Sequence, residues 1–244
     1  PFVLIAGSLL MAVPVCALLG AGIERLAYRP LRNAPRLAPL ITAIGVSIVL
    51  QNVAMMIWGR QYIPFPDILP HEPIHLGSVT FLPVQGVIVG LSGVLLVGLL
   101  LLVHHTRLGR AMRATAQAPS VARLMGVSVD RVIASTFVIG SVLAAVAGVM
   151  VTANYGQAHA YMGFMLGLKA FSAAVLGGIG NLAGAVVGGL LLGLIESLGA
   201  GYIGDVTGGF LGSQYQDVFA FLVLILVLVF RPSGLLGERL ADRP

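Results

Sequence analysis

Arginine dominates the polar stretch 107–131, which separates two long apolar runs and holds five arginines against one acid, Asp130. Arg110, Arg113 and Gln117 recur at three- and four-residue steps, so they share one face of a helix. The chemistry that such a face offers is ionic and hydrogen-bonding contact rather than covalent catalysis. A positive-inside loop between two membrane spans would by itself also explain the arginines.

Turn-forming residues indicate the shape of this stretch. Pro119 suits a first-turn position of a helix and Gly126 suits a helix end, while Gly109 is expected just ahead of the first helix. The positive-inside explanation does not account for this alanine-rich, glycine-ended pattern. The stretch therefore predicts two short helices bent against each other on the cytoplasmic side of a membrane.

Lys169 and Glu196 are ionisable residues inside apolar runs. Exposing such a charge to lipid costs about 2.5–3.5 kcal/mol on insertion scales, so both are candidates for a translocation path. Two simpler explanations need no transport role: the two residues form a salt bridge, or Glu196 reaches the membrane interface. We favour these simpler explanations.

Three side-chain amides are further candidates for a translocation path. Gln51 and Asn52 lie in the outer half of the second apolar run. They are expected to face other helices, because an amide in lipid lacks hydrogen-bond partners. Interhelical bonding is the preferred role for both, ahead of substrate contact. Asn154 lies in a less apolar external segment, which is either a pore mouth or an ordinary loop.

The sequence contains no recognisable motif for catalysis, metal binding or cofactor binding. It has no Walker motif, no Cys/His cluster and no nucleophile placed beside a base and an orienting acid. His71 and His75 are four residues apart, but Pro70 and Pro73 argue against the helix that a metal site would need there. The single cysteine, Cys16, excludes an intramolecular disulfide. We expect no enzymatic activity, no cofactor and no metal.

The composition is that of a membrane protein. Of 244 residues, 58% are apolar and 9% are charged, whereas a soluble domain carries about 25% charged residues. We predict an all-α, polytopic transmembrane bundle that forms one domain over residues 1–244. The net charge of +5 is attributed to cytoplasmic loops and not to nucleic-acid binding. The chain begins at Pro1 inside an apolar run, so we expect it to lack its true N-terminus.

About seven apolar segments are expected to span the bilayer. Gly180, Gly184 and Gly188 form a ladder that lets helix backbones approach closely. The fifth and sixth segments count either as two crossings or as a re-entrant pair. The last segment is short, so either Phe210 and Leu211 extend it or protein shelters Asp217. The segments are 2–23, 37–58, 84–103, 132–151, 164–180, 182–203 and 218–230.

The charges predict the topology. Seven crossings place loops 24–36 and 105–131 and the C-terminal tail on one side, with loop 59–83 on the other. The first side then carries twelve of the fourteen basic residues, and Arg60 and Lys169 are the exceptions. Because basic residues accumulate in cytoplasmic loops, we expect a cytoplasmic C-terminus and a periplasmic 59–83 loop.

Four stretches in the same order resemble the branched-chain amino acid permeases of ABC importers (LivH type). They read IERLAYRPLRNAPRLAPLITAIGVSIVLQN, then RAMRATAQ with ARLMGVSVDRV, then GLKAFSAAVLGGIGN with GAVVGGLLLGLIESLGAGYI, and finally VLVFRPSGLLGE. The second resembles the loop on which the ATPase of that family docks. The resemblance therefore implies these coupling residues: Gly109, Arg110, Arg113, Ala116, Gln117, Arg123 and Gly126.

The same resemblance implies a role and partners. The chain would be a multi-pass subunit of the bacterial inner membrane that translocates leucine, isoleucine and valine. A second permease subunit, two cytoplasmic ATPase subunits and a periplasmic binding protein would complete the importer. One departure concerns the coupling loop: in the family an acidic residue commonly follows the Gln, whereas Ala118, Pro119 and Ser120 follow Gln117 here.

Three alternatives stay open on the sequence alone. A permease of the same superfamily would carry urea, short amides or another small polar solute. A secondary transporter would use intramembrane acids for ion coupling, and Glu196 alone qualifies. A purely structural membrane subunit also fits the composition. The last two leave the arginine-rich hairpin without a purpose.

Overall fold

The computed structural model describes residues 2–35, 38–66, 74–76, 79–178, 180–206, 215–231 and 233–237. The chain divides into two compact units, residues 1–161 and residues 162–244. Nearly all the described residues of both units are helical, as the composition predicts.

Nine α-helices occur within the described residues. Five helical stretches are long and apolar enough to cross a membrane, judged by length and composition, and two shorter apolar helices accompany them. The prediction of a helical polytopic protein is therefore confirmed. The bounds are α1 (Phe2–Ile23), α2 (Ala38–Trp58), α3 (Pro83–His105), α4 (Arg107–Gln117), α5 (Pro119–Leu124), α6 (Val129–Tyr155), α7 (Met162–Gly177), α8 (Leu182–Val206) and α9 (Gln216–Phe230).

After α1 the type of helix changes twice before the helical segment ends. A π-helical turn covers Glu24–Tyr28, and a 3-10 turn covers Arg29–Asn33. Pro30 occupies the first turn of the 3-10 helix, where its missing N–H is not needed. Ala34 is then extended, with φ −82° and ψ 163°. The helical segment therefore ends before α2, after extending through most of loop 24–36.

Short strands connect the loops of the first unit, and the sequence did not predict them. They are β1 (Ile63–Pro64), β2 (Ile74–Leu76), β3 (Val79–Phe81) and β4 (Gln157–Ala158). β1 pairs antiparallel with β4, and β2 pairs antiparallel with β3. The loop after α2 is therefore tied to the segment that follows α6.

Helices α1 and α6 pack closely in the first unit. Gly20 of α1 lies directly against the Ser141 side chain of α6, so a Cβ at Gly20 would collide with it. Near the start of α1, buried Ile5 and Met150 form a small apolar core. The Gly20–Ser141 contact places the end of α1 beside the first half of α6, close to the charged residues that follow α1 and begin α6.

Glycines allow the same close approach between α7 and α8 in the second unit. A Cβ at Gly188 would collide with the backbone carbonyl of Ala173, and one at Gly184 would approach the carbonyl of Gly177. The predicted packing role is correct for these two glycines. It is wrong for Gly180, which has φ +96° and open space around it. Gly180 serves the turn before α8 rather than a helix contact.

The C-terminal residues fold back onto the end of α7. Leu235 N–H donates to the Leu176 carbonyl at 2.9 Å, and Leu236 N–H donates to the Gly177 carbonyl at 3.0 Å. Asn181 caps α8 by accepting from Gly184 N–H at 3.0 Å, and its Nδ2 donates to the Leu236 carbonyl at 2.9 Å. We call residues 233–237 the C-terminal strap. It satisfies carbonyl groups that a helix end leaves without partners.

Candidate functional site

The polar stretch after α3 forms the predicted helical hairpin, α4 followed by α5. Thr106 is the N-cap of α4, since its Oγ1 accepts from Gly109 N–H at 3.0 Å. The same hydroxyl donates to the Leu102 carbonyl at 2.5 Å. One side chain therefore hydrogen-bonds to both the last turn of α3 and the first turn of α4, which fixes the start of the hairpin relative to α3.

Gly109 lies within α4, so its expected position ahead of the helix is wrong. It is buried, and a Cβ there would collide with the backbone carbonyls of Leu102 and Val103. Glycine is needed at this position because α4 turns back against the end of α3. The sequence identified the residue but not the reason for it.

Proline and glycine form the second half of the hairpin as predicted. Ala118 is extended between the helices, with φ −154° and ψ 91°, and Pro119 occupies the first turn of α5. Gly126 has φ +82° after α5, and Val127 N–H donates back to the Ala122 carbonyl at 3.0 Å. Ala122 is buried against the unit. This 6→1 bond around a left-handed glycine is a Schellman-type helix end.

The outer face of the hairpin is exposed and combines cationic with apolar side chains. Arg110, Arg113 and Gln117 are exposed, as are Ala116, Arg123 and Gly126. The structure adds three apolar residues that the sequence reading did not single out: Val121, Leu124 and Met125. Leu124 and Met125 are 86% and 80% exposed. Adjoining exposed apolar residues within a polar surface mark contact sites on proteins.

A charged cluster at the base of the hairpin was not predicted. Arg32 bridges two acids, Glu24 and Asp130. Arg29 Nη2 lies 3.5 Å from Asp130 Oδ2, and Arg123 Nη2 lies 3.9 Å from Asp130 Oδ1. We call these five residues the arginine clamp. It joins the turn after α1, helix α5 and the first turn of α6.

Burial differs across the arginine clamp. The Glu24 side chain is 6% exposed and Arg32 is 20% exposed, whereas Asp130 is half exposed. Asp130 also lies in the first turn of α6, where the helix dipole favours a negative charge. The sequence contained one signal: Glu24 and Asp130 are the only acids in their respective arginine-rich segments.

A second ionic cluster lies among the helices of the second unit. Lys169 Nζ on α7 lies 3.1 Å from Glu196 Oε2 on α8 and 2.7 Å from Asp217 Oδ1 on α9. The expected Lys169–Glu196 pair is therefore present, and Asp217 is sheltered by the protein. Glu196 Oε1 is buried without a hydrogen-bond partner among the described residues. The role of these residues in a translocation path stays a prediction.

The candidate amides do not form the expected interhelical bonds within the described residues. Gln51 Nε2 donates to Ser47 Oγ at 3.0 Å, and Asn52 Nδ2 donates to the Ile48 carbonyl at 2.8 Å. Both bonds stay within α2, because a partner four residues earlier on the same helix is within reach of an amide side chain. Asn154 is exposed on the last turn of α6. Neither its pore-mouth role nor its loop role is decided by this position.

The histidines of loop 59–83 are only partly described. His71 lies outside the described residues, and His75 lies on β2. Among the residues that are described, no group of three His, Cys, Asp or Glu side chains is placed to hold a metal ion. The hairpin and the two ionic clusters are therefore the candidate functional features.

Sequence comparisons identify the family. Residues 1–228 match the family described as branched-chain amino acid transport system / permease component. The chain is 42% identical over 243 residues to the high-affinity branched-chain amino acid transport system permease protein LivH of Escherichia coli (strain K12), covering 97% of this chain and 76% of that protein. It is 45% identical over 231 residues to the corresponding protein BraD of Pseudomonas aeruginosa, covering 93% and 73%.

A more distant relative has a different named cargo. The ribose import permease protein RbsC of Escherichia coli (strain K12) is 28% identical over 147 residues, covering 58% of this chain and 44% of that protein. No solved structure matches. The match over residues 1–228, together with the LivH and BraD relatives, shows that this chain belongs to the branched-chain amino acid transport permease family.

Proposed function

We propose that this protein is the membrane-spanning permease subunit of a bacterial ABC importer for leucine, isoleucine and valine. A separate cytoplasmic ATPase would drive it, and a periplasmic binding protein would deliver the amino acid. The named cargo of the LivH and BraD relatives supports this substrate class. The similarity to a ribose permease over 147 residues makes another small polar solute the alternative.

The observation that carries the proposal is the outer face of the α4–α5 hairpin. A loop that only sorted positive charge to the cytoplasm would need no fixed shape. This hairpin is capped by Thr106, turned by Gly109 and closed by Gly126. It exposes the cationic Arg113 on α4 and the apolar Leu124 on α5. Rigid, exposed, mixed apolar and cationic surfaces suit docking to another protein.

We further propose that ATP binding moves the hairpin and that the movement reaches the spanning helices. Closure of an ATPase pair beneath the membrane would press on α4 and α5. Thr106 joins α4 to α3, and buried Ala122 joins α5 to the body of the first unit. Alternating access would follow from rocking of these helices about a central path.

The proposed orientation places the hairpin and the C-terminus in the cytoplasm. Positive charge on the loops after α1 and α3 supports it. The C-terminal strap also contacts the end of α7, so the ends of α7 and α9 lie at the same level within the second unit. This arrangement supports two full crossings by α7 and α8 in preference to a re-entrant pair.

The test is uptake of radiolabelled leucine into proteoliposomes that hold the permease with its co-purifying ATPase and binding protein. Arg113→Glu reverses a charge on the hairpin, and Arg60→Glu is the matched control on the opposite loop. We expect ATP-dependent leucine uptake that Arg113→Glu lowers about tenfold or more, the effect of about 1.4 kcal/mol at a contact. Arg60→Glu should leave uptake within about twofold, because an exposed charge outside a contact contributes little.

Other outcomes separate the alternatives. ATP-dependent uptake of urea or ribose without leucine uptake would keep the importer class and replace the substrate. Uptake driven by an ion gradient in the absence of the ATPase would refute the importer class. Equal uptake by Arg113→Glu and Arg60→Glu would refute the docking role of the hairpin.

A further inference from the structure

The arginine clamp joins three elements that are far apart in the sequence. Glu24 ends the apolar part of the first span, Arg32 lies in the 3-10 turn, and Asp130 starts α6. Arg123 adds the second helix of the hairpin. A positive-inside loop would leave these arginines to water and lipid headgroups. Here Arg29, Arg32 and Arg123 are directed at one carboxylate instead.

The contact between Arg32 and Glu24 is the most buried part of the clamp. With the Glu24 side chain 6% exposed, its carboxylate is almost fully removed from water. A buried carboxylate requires a compensating partner, and removing that partner is strongly destabilising. Arg32 is this partner, and its other Nη nitrogen contacts Asp130. The position of Asp130 is therefore tied to the turn after α1, through Arg32, which also holds Glu24, and through Arg29 at 3.5 Å.

Apolar and aromatic contacts reinforce the same junction. The Tyr28 ring lies 4.8 Å from the Phe137 ring, centroid to centroid, between the π-helical turn and α6. Gly20 contacts Ser141 one turn further along α6. The end of α1 and the first half of α6 thus form one packed body, and the clamp extends this body to α5.

We propose that Arg32, Asp130 and Arg123 are positioning residues for coupling, which make the hairpin and the first cytoplasmic turn move as one body. The proposal rests on the coupling role of the hairpin proposed above. A displacement of α5 by the ATPase would therefore be transmitted to the end of α1 directly, through the contacts of Asp130 and Arg32. Breaking the clamp would leave ATPase docking in place but would reduce the transport obtained for each ATP hydrolysed.

Spin labels test the rigid-body statement directly. Leu26, which is 81% exposed, and Ser120, which is exposed on α5, are accessible labelling sites on the two sides of the clamp. Cys16 is the only native cysteine and is replaced by serine. In the assembled complex, we expect a narrow distance distribution between the two labels, with the same mean with and without ATP. Asp130→Asn should broaden this distance distribution both with and without ATP.

Transport per ATP supplies the second readout. Asp130→Asn is expected to lower leucine uptake per ATP hydrolysed by about fivefold or more, the lower end of usual coupling effects between sites. Asp130→Glu keeps the carboxylate and should recover most of the loss. Arg25→Gln is the control, because Arg25 is in the same turn but in none of the described ion pairs. It should match the wild type in both readouts.

Two results would overturn the proposal. One is a label distance that changes with ATP in the wild-type complex; the other is an Asp130→Asn distribution equal to that of the wild type. Arg123→Gln removes the exposed 3.9 Å contact to Asp130 and should likewise broaden the label distribution, because it breaks the link to α5. Failure of the proposed function would instead appear as the absence of ATP-dependent leucine uptake in the wild type, whatever the label distances are.

Discussion

Replacing Lys169 by methionine tests whether the intramembrane ion cluster stabilises the second unit. The substitution keeps the length of an unbranched side chain and removes its positive charge. Glu196 and Asp217 would then face each other without the cation that lies 3.1 Å and 2.7 Å from them. Because these side chains are only 17–31% exposed, two carboxylates without their cation are more costly there than at a fully exposed protein surface.

The magnitude follows from the distances and the burial. At an effective dielectric constant of about 20, each attraction amounts to about 5–6 kcal/mol before desolvation is subtracted. Measured losses on removing one partner of a buried pair are about 3–5 kcal/mol. The three side chains keep 17–31% of their exposure, so some screening remains. We therefore expect Lys169→Met to lower the free energy of unfolding by about 3 kcal/mol.

The assay is denaturant unfolding of the detergent-solubilised protein, followed by circular dichroism. Lys169→Met combined with Glu196→Gln and Asp217→Asn should recover at least half of the loss, because no net charge then remains in the cluster. Arg60→Met is the matched control, since Arg60 is an exposed cation in a loop. A Lys169→Met protein as stable as Arg60→Met, or a triple variant no more stable than Lys169→Met, would refute the reasoning.

Three further predictions concern the glycine contacts and the hairpin. Gly188→Val drives a side chain into the Ala173 carbonyl, so unfolding in denaturant should show a loss of about 2–3 kcal/mol. Gly193 has open space around it, so Gly193→Val should change the free energy of unfolding by less than about 0.5 kcal/mol. Equal losses for Gly188→Val and Gly193→Val would contradict the contact assigned to Gly188. Gly234→Ala forces φ +78° on an L side chain, so we expect it to lower the free energy of unfolding by about 1–3 kcal/mol in the same assay. An unchanged free energy of unfolding would contradict the geometry assigned to the strap. Leu124→Asp should reduce co-purification of the ATPase about tenfold, quantified on gels, while leaving the unfolding midpoint unchanged; undiminished co-purification would count against docking at α5.

Features of the fold that depend on residues close together in the sequence were predictable. The helix bounds follow runs of apolar residues, because a helix in a bilayer satisfies its own backbone hydrogen bonds. Pro119 was correctly assigned as a helix-start residue because its effect acts within one turn. The close approach at Gly184 and Gly188 also followed from spacing along a single helix.

Features that depend on distant partners were not predictable in the same way. Arg32 was counted as one of many positive-inside charges, and its two acids lie 8 and 98 residues away. Gly109 was recognised as special, but its requirement arises from the carbonyls of α3. The Lys169–Glu196 pair was anticipated because two opposite charges in apolar runs have few other partners. Asp217 was anticipated only as a residue that protein might shelter.

The C-terminal strap has a consequence for the order in which the second unit is completed. A ribosome makes residues 233–237 after α7, α8 and α9 have all been synthesised. Until then, the carbonyls of Leu176 and Gly177 lack the donors that Leu235 and Leu236 later supply. The end of α7 is therefore completed only after α9 has been synthesised. A chain that stops within α9 would contain α7 and α8 in full and would still lack the donors for these two carbonyls.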